Sequence, residues 1–274
     1  MSGHSTRARA PAPTPTPGTT PTTTPTLRPT PTLRPEPTLW QRLGRWGFAH
    51  APASRSSLAS LRDEFAALRV RLAYAVLPWW RARAAALRRA RNVYVNVGSG
   101  PFELTGFVNL DVAATAPGVV RWDCRTSVPV GDGAAAGIRM EHFFEHVDPR
   151  DHAPRLLADC HRALAPDGTL RVIVPDLGAY LAAYAAPGTD ALAAIGVPIP
   201  FPDDLPTRMD LVAFAFHQWH EHRWGYDAES LMHRLRAAGF RDVQRVAFRE
   251  GRDARLAQDR AEHAPYSLYV EGYR

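Results

Sequence analysis

Asn92–Asp111, NVYVNVGSGPFELTGFVNLD, is the stretch whose reading decides the fold. Val93, Val95 and Val97 are β-branched and Tyr94 suits a strand, so a short strand is predicted here. It stops at Gly98-Ser99-Gly100. Two glycines after a buried strand let the chain turn tightly and approach a ligand with no Cβ in the way. Phe107–Leu110 predicts a second strand, which ends on Asp111. A carboxylate at the tip of a neighbouring strand can accept both hydroxyl hydrogen bonds of a ribose. The pattern implies a nucleoside-bearing cofactor at the carboxyl edge of a parallel sheet. A lone Gly-x-Gly also serves simply to turn a chain, so the flanking sequence has to decide.

The 274 residues suffice for one α/β domain with appendages. The formal net charge is +6, and all 33 basic residues are Arg. Heavy use of Arg, Ala and Pro together points to coding bias as much as to an anionic partner. Cys124 and Cys160 have no metal-ligand spacing and imply no disulfide framework, which fits a reducing compartment. No apolar run reaches the roughly 18–20 residues of a membrane span. No apolar segment near the N-terminus reads as a signal peptide. A cytoplasmic protein is expected.

Residues 1–38 are near-alternating Pro and Thr, which can bury no core. A disordered, partly polyproline tail is expected there. Residues 39–91 read as a basic helical extension. Leu58, Leu61, Phe65, Leu68 and Leu72 recur at helical spacing, with Ser57 as the expected N-cap. Pro78 interrupts the pattern, and Arg81, Arg83, Arg88, Arg89 and Arg91 follow Trp79 and Trp80. Such a segment can rest on anionic lipid or nucleic acid. It reads more simply as a helical cover with a solvated basic face.

From Asn92 onward strand and helix patterns alternate, the mark of a parallel α/β sheet. Val119–Asp123 predicts a third strand and Gly137–Met140 a fourth, followed by Glu141-His142-Phe143-Phe144-Glu145-His146. A helix is expected over 151–164, then a turn at Ala165–Gly168 and a strong strand over Thr169–Val174. Residues 187–226 read as irregular, 229–239 as a helix, and Val243–Phe248 and Ser267–Tyr273 as late strands. The connection 249–265 is charged and is expected to be mobile.

This order of parts resembles a class I S-adenosylmethionine-dependent methyltransferase over Asn92–Arg274. VNVGSG is similar to that family's glycine motif, and FVNLD to its second strand with a ribose-binding acid. WDCRTSVPV is similar to the segment whose Asp meets the adenine amino group. MEHFFEHV resembles the motif after strand four, and HRALAPDGTLRVIVPDL the helix and turn before strand five. HRWGYDAESLMHRLRAAGF resembles a late segment of a bacterial subgroup with a shortened region between strands one and two. The resemblance implies a Rossmann-like, mostly parallel sheet with helices on both faces. It also implies S-adenosylmethionine as cofactor. It places Gly98, Ser99 and Gly100 by the methionine part of that cofactor. Asp111 falls on the ribose, Asp123 with Cys124 on the adenine, and Glu141 and His142 beside the cofactor.

Two features depart from the family pattern. Asn96 stands where an acid usually helps hold the methionine ammonium; Asn accepts a hydrogen bond without the charge. The step from Gly100 to Asp111 is only 111 − 100 = 11 positions, too short for a helix between the strands. A dinucleotide motif would need its acid about 20 residues on and a third glycine, so an NAD enzyme is not expected.

Methyl transfer asks a protein mainly to position two ligands and remove a proton. His146, His222, Asp176 and Asp227 are the candidates for that proton. His146 reads equally well as a helix-start residue bonded to a neighbouring loop. Asp227 fits better as a helix cap. His217, His220 and His222 match neither an HExxH nor a Cys/His finger spacing, so no metal site is expected. Aromatic and His side chains around an acceptor pocket are expected instead, with Tyr180 and Tyr184 packing on the sheet. The leading function is methyl transfer to a small-molecule or glycan acceptor. The alternatives are a methyltransferase-fold scaffold that has lost catalysis, supported by Asn96 and the Arg-rich helix, and a nucleic-acid methyltransferase.

Overall fold

Seven strands build one sheet in the computed structural model, which describes residues 54–113 and 116–274: β1 Val93–Val97, β2 Phe107–Asp111, β3 Val119–Arg121, β4 Ala135–Glu141, β5 Leu164–Pro175, β6 Arg241–Val246 and β7 Ser267–Tyr273. They lie side by side in the order β3-β2-β1-β4-β5-β7-β6. The first five run parallel; β7 is antiparallel to both β5 and β6. The helices are α1 Arg55–Val76, α2 Pro78–Arg89, α3 Ala153–Ala163, α4 Leu177–Ala185, α5 Asp190–Ala194, α6 Arg208–His217 and α7 Ala228–Ala237. This is the Rossmann-like, mostly parallel sheet that the sequence leads one to expect. The Pro/Thr-rich stretch 1–38 and the start of the expected helical extension lie outside the described residues. No helix among the described residues is long and apolar enough to cross a membrane.

Side chains alternate across a strand, so register sorts them onto two faces. On one face Val95, Val97, Leu110, Ile138, Met140, Leu170, Val172, Val174, Leu268 and Val270 form a continuous apolar core. Leu156, Leu157 and Cys160 of α3 and Leu231 and Leu235 of α7 cover it. On the opposite face the register builds a polar row. Asn109 pairs with Asn96, Asn96 with Arg139, Arg139 with Arg171, Arg171 with Glu271, and Glu271 with Gln244. Five of these six are buried; Gln244 on the edge strand is not.

A buried charge needs a partner, and the connection 249–265 supplies them. Arg171 Nε donates to Asp259 Oδ1 at 3.0 Å and its Nη1 to Glu271 Oε1 at 2.8 Å. Arg139 Nη1 donates to the Gln258 carbonyl at 3.0 Å and Nη2 to Glu141 at 2.7 Å. Tyr94 donates to Asp253 at 2.6 Å, and Leu256 is fully buried against the Gly137 position. The charged connection, expected to be mobile, is therefore pinned along its length. Asp259 turns inward to the row and is buried, while Arg249, Glu250, Arg252, Arg255 and Glu262 stay exposed.

Two further expectations change. Ser54, not Ser57, caps α1; its Oγ accepts the Ser57 N–H at 3.1 Å. The stripe of Leu61, Phe65, Leu68 and Leu72 is about half exposed. A second helical face, Ser60, Glu64, Ala67, Arg71 and Tyr74, does the packing. Arg71 pairs with Asp123 at 2.6 Å, and Tyr74 donates to the Arg121 carbonyl at 2.9 Å and packs edge-on to Trp122. Specific polar partners at the strand tips fix the rotation of α1 against its bare apolar stripe. In α2, Ala84 is buried and the arginines are exposed.

The stretch 187–226 is also more regular than its sequence suggests. It holds α5 and α6, and Leu192, Val197 and Leu211 join Ala183 of α4 in a small second core. Thr207 and Asp210 form a reciprocal capping box at the start of α6.

Removing one partner of a buried ion pair strands the other charge. Asp259→Asn is expected to destabilise the protein by about 3–5 kcal/mol, read as a lower urea midpoint at unchanged slope. A loss below about 1 kcal/mol would mean that the row does not depend on this carboxylate.

Candidate active site

The tips of β1, β2 and β4 meet at the carboxyl edge, where the chain turns sharply. Gly98 and Gly100 have φ of +65° and +54°. A Cβ on Gly98 would fall 2.2 Å from the Phe143 ring, so this glycine is required by the protein's own packing. A Cβ on Gly100 would meet nothing within 4 Å, so the open side of the turn is here. Gly100 N–H donates to Asp111 Oδ2 at 3.0 Å and Ala113 N–H to Oδ1 at 2.8 Å. Ser99 is buried, and its N–H donates to the Leu110 carbonyl at 2.9 Å. The glycine turn and the Asp111 carboxylate are thus locked to each other, tip to tip.

A cavity of about 850 Å³ opens over these tips. Asp111, Val112, Asp123, Cys124, Phe143 and His146 line it from the sheet side, and Ser60, Glu64 and Ala67 of α1 from the other. A second cavity of about 690 Å³ lies beyond β4 and β5, lined by His142, Glu145, Tyr180, His222, His263 and Tyr266 among others. His146, Trp219 and Glu221 line both cavities and form the wall between them. A wider groove of about 940 Å³ between α3 and α7 is lined by no strand-tip residue.

The segment forming that wall is strained. Gln218, Trp219 and His220 take φ of 36°, 55° and 79°, three successive left-handed residues without a glycine. Such conformations cost free energy and persist only where surrounding contacts impose them. Here the Arg223 and Trp224 N–H groups both donate to the Glu145 carbonyl, at 2.8 and 3.2 Å. His146 Nδ1 lies 3.0 Å from the Glu221 carbonyl.

The expected site residues distribute as follows. Asp111 and Cys124 line the first cavity; Gly98–Gly100 do not line it, and meet it through Phe143, against Gly98, and Asp111, which accepts from the Gly100 N–H. Cys124 is buried, and burial pushes its thiol well above the ordinary range. Asp123 also lines that cavity, but its carboxylate faces Arg125 Nε at 2.9 Å, Arg125 Nη2 at 3.1 Å and Arg71 at 2.6 Å. Burial raises the Asp123 carboxyl, and these two guanidinium groups overturn that and hold it low. Asn96 points away from both cavities; its Nδ2 donates to Asn109 Oδ1 at 3.0 Å, which also accepts the Leu104 N–H. It belongs to the polar row and shapes the 98–107 loop.

His142 and His222 line the second cavity and His146 the shared wall. Asp176 lines neither. It caps α4 through the Ala179 N–H and pairs with Arg245 at 2.9 Å. Asp227 caps α7 as its sequence suggests. Tyr180, expected to pack on the sheet, reaches the second cavity, where burial pushes its hydroxyl up to about 12. Of the His run only His222 is buried, and burial pushes its imidazole down, keeping it neutral. Glu141 lies at the tip of β4 with His263 Nδ1 at 3.1 Å. Burial alone would raise its carboxyl; the bond to His263 and the Arg139 and Arg260 charges hold it at about 2.

Sequence reading missed several residues of the site. Glu145 sits at 1% exposure among His142, His146 and His222. Its only sequence signal was its place beside His146 after strand four. His263 and Tyr266 come from a connection with no sequence periodicity, and Ser60 and Glu64 from the helical face hidden behind the more obvious apolar stripe.

The sequence profile described as "Methyltransferase domain" matches residues 82–245, more than half of the 274. The chain belongs to this family. It is an S-adenosylmethionine-dependent methyltransferase. Among solved structures, it is similar to an S-adenosylmethionine-dependent methyltransferase from Archaeoglobus fulgidus. That match has 17% identity and a TM-score of 0.41, covering 85% of this chain and 99% of the other. It is similar also to the 1,6-didemethyltoxoflavin-N1-methyltransferase of Burkholderia thailandensis, solved with S-adenosylhomocysteine. There the identity is 19% and the TM-score 0.40, with 82% and 92% covered. A third, from Mesorhizobium loti, has 18% identity and a TM-score of 0.40, with 71% and 97% covered. Likenesses this distant say nothing of the methyltransferase's substrate. No curated protein matches the chain.

Two measurements test the geometry. Gly98→Ala puts a methyl into the Phe143 ring at a left-handed φ. The backbone cost alone is about 1–2 kcal/mol, and the clash adds to it. Phe143→Ala in the same chain should recover the added part, giving a negative coupling in a double-mutant cycle. For Glu141, the folded carboxyl lies at about 2 against an ordinary 4.5. Its stabilisation is complete above pH 4.5 and is lost as pH falls towards 2, on the order of 3 kcal/mol in all. Unfolding free energies of Glu141→Gln should lack that acid slope.

Proposed function

We propose that this methyltransferase holds S-adenosylmethionine in the first cavity and methylates a small molecule held in the second. When bound, the cofactor supplies an electrophilic methyl group on a sulfonium. The residues fit it. Gly100 leaves open space beside the turn, and Asp111 has lone pairs beyond the two used by Gly100 and Ala113 to accept ribose hydroxyls. Phe143 and Cys124 offer an apolar floor, and Asp123 would act at the rim through Arg125 and Arg71. Asn96 is assigned to the loop rather than to the methionine ammonium. Asp176 is assigned to α4.

The observation that carries the reading is the shared wall. Two cavities of ligand size touch only through His146, Trp219 and Glu221. A donor on one side and an acceptor on the other would meet at this wall, which suits a transfer that needs alignment above all. His146 and His222, beside the ionised Glu145, are the groups to take the acceptor's proton, and neutral His222 is in the state to do so. The mixed lining of the second cavity, with Val197, Leu211 and Phe214 opposite the His cluster, suits a compact acceptor with one polar end. A sugar unit of a glycan is the second reading.

Calorimetry with S-adenosylhomocysteine tests the first half. The wild type should bind it, and Asp111→Ala should weaken binding by tenfold or more, about 1.4 kcal/mol. A folded wild-type protein that binds neither this nor S-adenosylmethionine would overturn the proposal.

A further inference from the structure

We infer that Glu145, His146 and His222 form a site for one divalent transition-metal ion in the lining of the second cavity. One ligand atom from each lies within 4.8 Å of the others. Ligands seated at about 2.0–2.2 Å from a shared ion stand roughly 3–3.5 Å apart, so binding would draw this open set together. The residues come from two segments, the turn after β4 and the strained wall. The spacing of the His run alone therefore hides the site.

Three further observations point to a cation. Glu145 is 1% exposed, and both its carboxylate oxygens are buried without a hydrogen-bond partner. A buried carboxylate left this way is costly. His222 is 7% exposed, and its Nε2 is likewise unpartnered. The imidazoles are already set as ligands. His222 Nδ1 lies 2.9 Å from the Ala215 carbonyl and His146 Nδ1 3.0 Å from the Glu221 carbonyl. A carbonyl only accepts, so each Nδ1 carries the hydrogen, and the ring atom left to bind an ion is Nε2 in each case. Metal-binding histidines are characteristically oriented this way.

Two imidazoles and one carboxylate suit Zn²⁺, Co²⁺, Fe²⁺ or Ni²⁺ better than Mg²⁺ or Ca²⁺, which prefer all-oxygen sets. Three protein ligands leave coordination positions open. All three residues line the second cavity, so those positions would face an acceptor carrying a hydroxyl, carboxylate or amine. The assignment rests on the methyl-transfer proposal and revises one role in it: with both Nε2 atoms on the ion, His146 and His222 would hold the metal rather than take the acceptor's proton, and the ion would bind the acceptor's polar end and ease release of that proton to water. The rival partner for Glu145 is His142, whose Nδ1 lies 3.2 Å from Oε1 but off the hydrogen-bonding direction.

The test uses untagged full-length protein, stripped with chelator and titrated with Co²⁺ alone. One equivalent should bind, with the visible absorption of a low-symmetry nitrogen–oxygen site, and Zn²⁺ should displace it. X-ray absorption of the Zn²⁺-loaded wild type should show nitrogen and oxygen neighbours, two imidazoles and no sulfur. Glu145→Gln and His222→Ala should each weaken binding at least tenfold while their circular dichroism stays that of the wild type. The inference is overturned if the wild type takes up no stoichiometric ion or if the metal shell lacks imidazole. Folded variants that bind like the wild type would overturn it too. Should a variant not fold, the wild-type absorption spectrum alone decides. None of these readouts needs cofactor or acceptor, so a failure here is distinct from a failure to bind S-adenosylhomocysteine.

Discussion

The Arg171 guanidinium, held between Asp259 and Glu271 with no access to water, is the constraint on which the rest of this molecule hangs. It ties strand β5 to two parts that lie 88 and 100 residues further along the chain, Asp259 of the connection arriving from β6 and Glu271 of the antiparallel strand β7. With Arg139 and Glu141 beside it, it turns one face of the sheet into a place where only matched charges can be buried. The connection that supplies the match also carries Arg260, His263 and Tyr266 to the second cavity. An apolar replacement could be as stable, but it would give that connection no reason to lie in one register. The charges specify where the loop goes.

The same row explains the short step from β1 to β2. With no room for a helix, the 98–107 loop must itself cover part of the polar face. Asn96 and Asn109 do this by satisfying each other and the Leu104 backbone. An acid at position 96 would put an unpaired charge beside Asn109's oxygen. The residue that looks like a lapse in cofactor binding is, in this fold, the residue its neighbour requires.

Much of this was legible beforehand, for reasons that differ by element. β1 could be read because its valines alternate up to a glycine turn, and β2 because a short strand-like run ends on a carboxylate. The order of motifs carried the family. α6 was not seen because its apolar residues are nearly continuous and show no stripe, although Thr207 and Asp210 spell a cap. The face of α1 was misjudged because hydrophobic spacing outshone a polar set at equal spacing, and tertiary partners chose the latter. The site divided similarly. Gly100 and Asp111 follow from local chemistry. Glu145, His263 and the cleft-facing side of α1 depend on contacts between residues 47 to 163 positions apart, which no window of sequence displays.

His146, Trp219 and Glu221 each have a surface in both cavities, and Trp219 is the largest of them. Whatever molecule presses on that indole from one side alters the shape offered on the other. The occupants of the two chambers are then not independent. Any factor by which the first to arrive helps or hinders the second is returned in equal measure when the order is reversed. The left-handed run beneath the indole is kept by the bonds from Arg223 and Trp224 to the Glu145 carbonyl, so those bonds set the resistance against which either occupant would push.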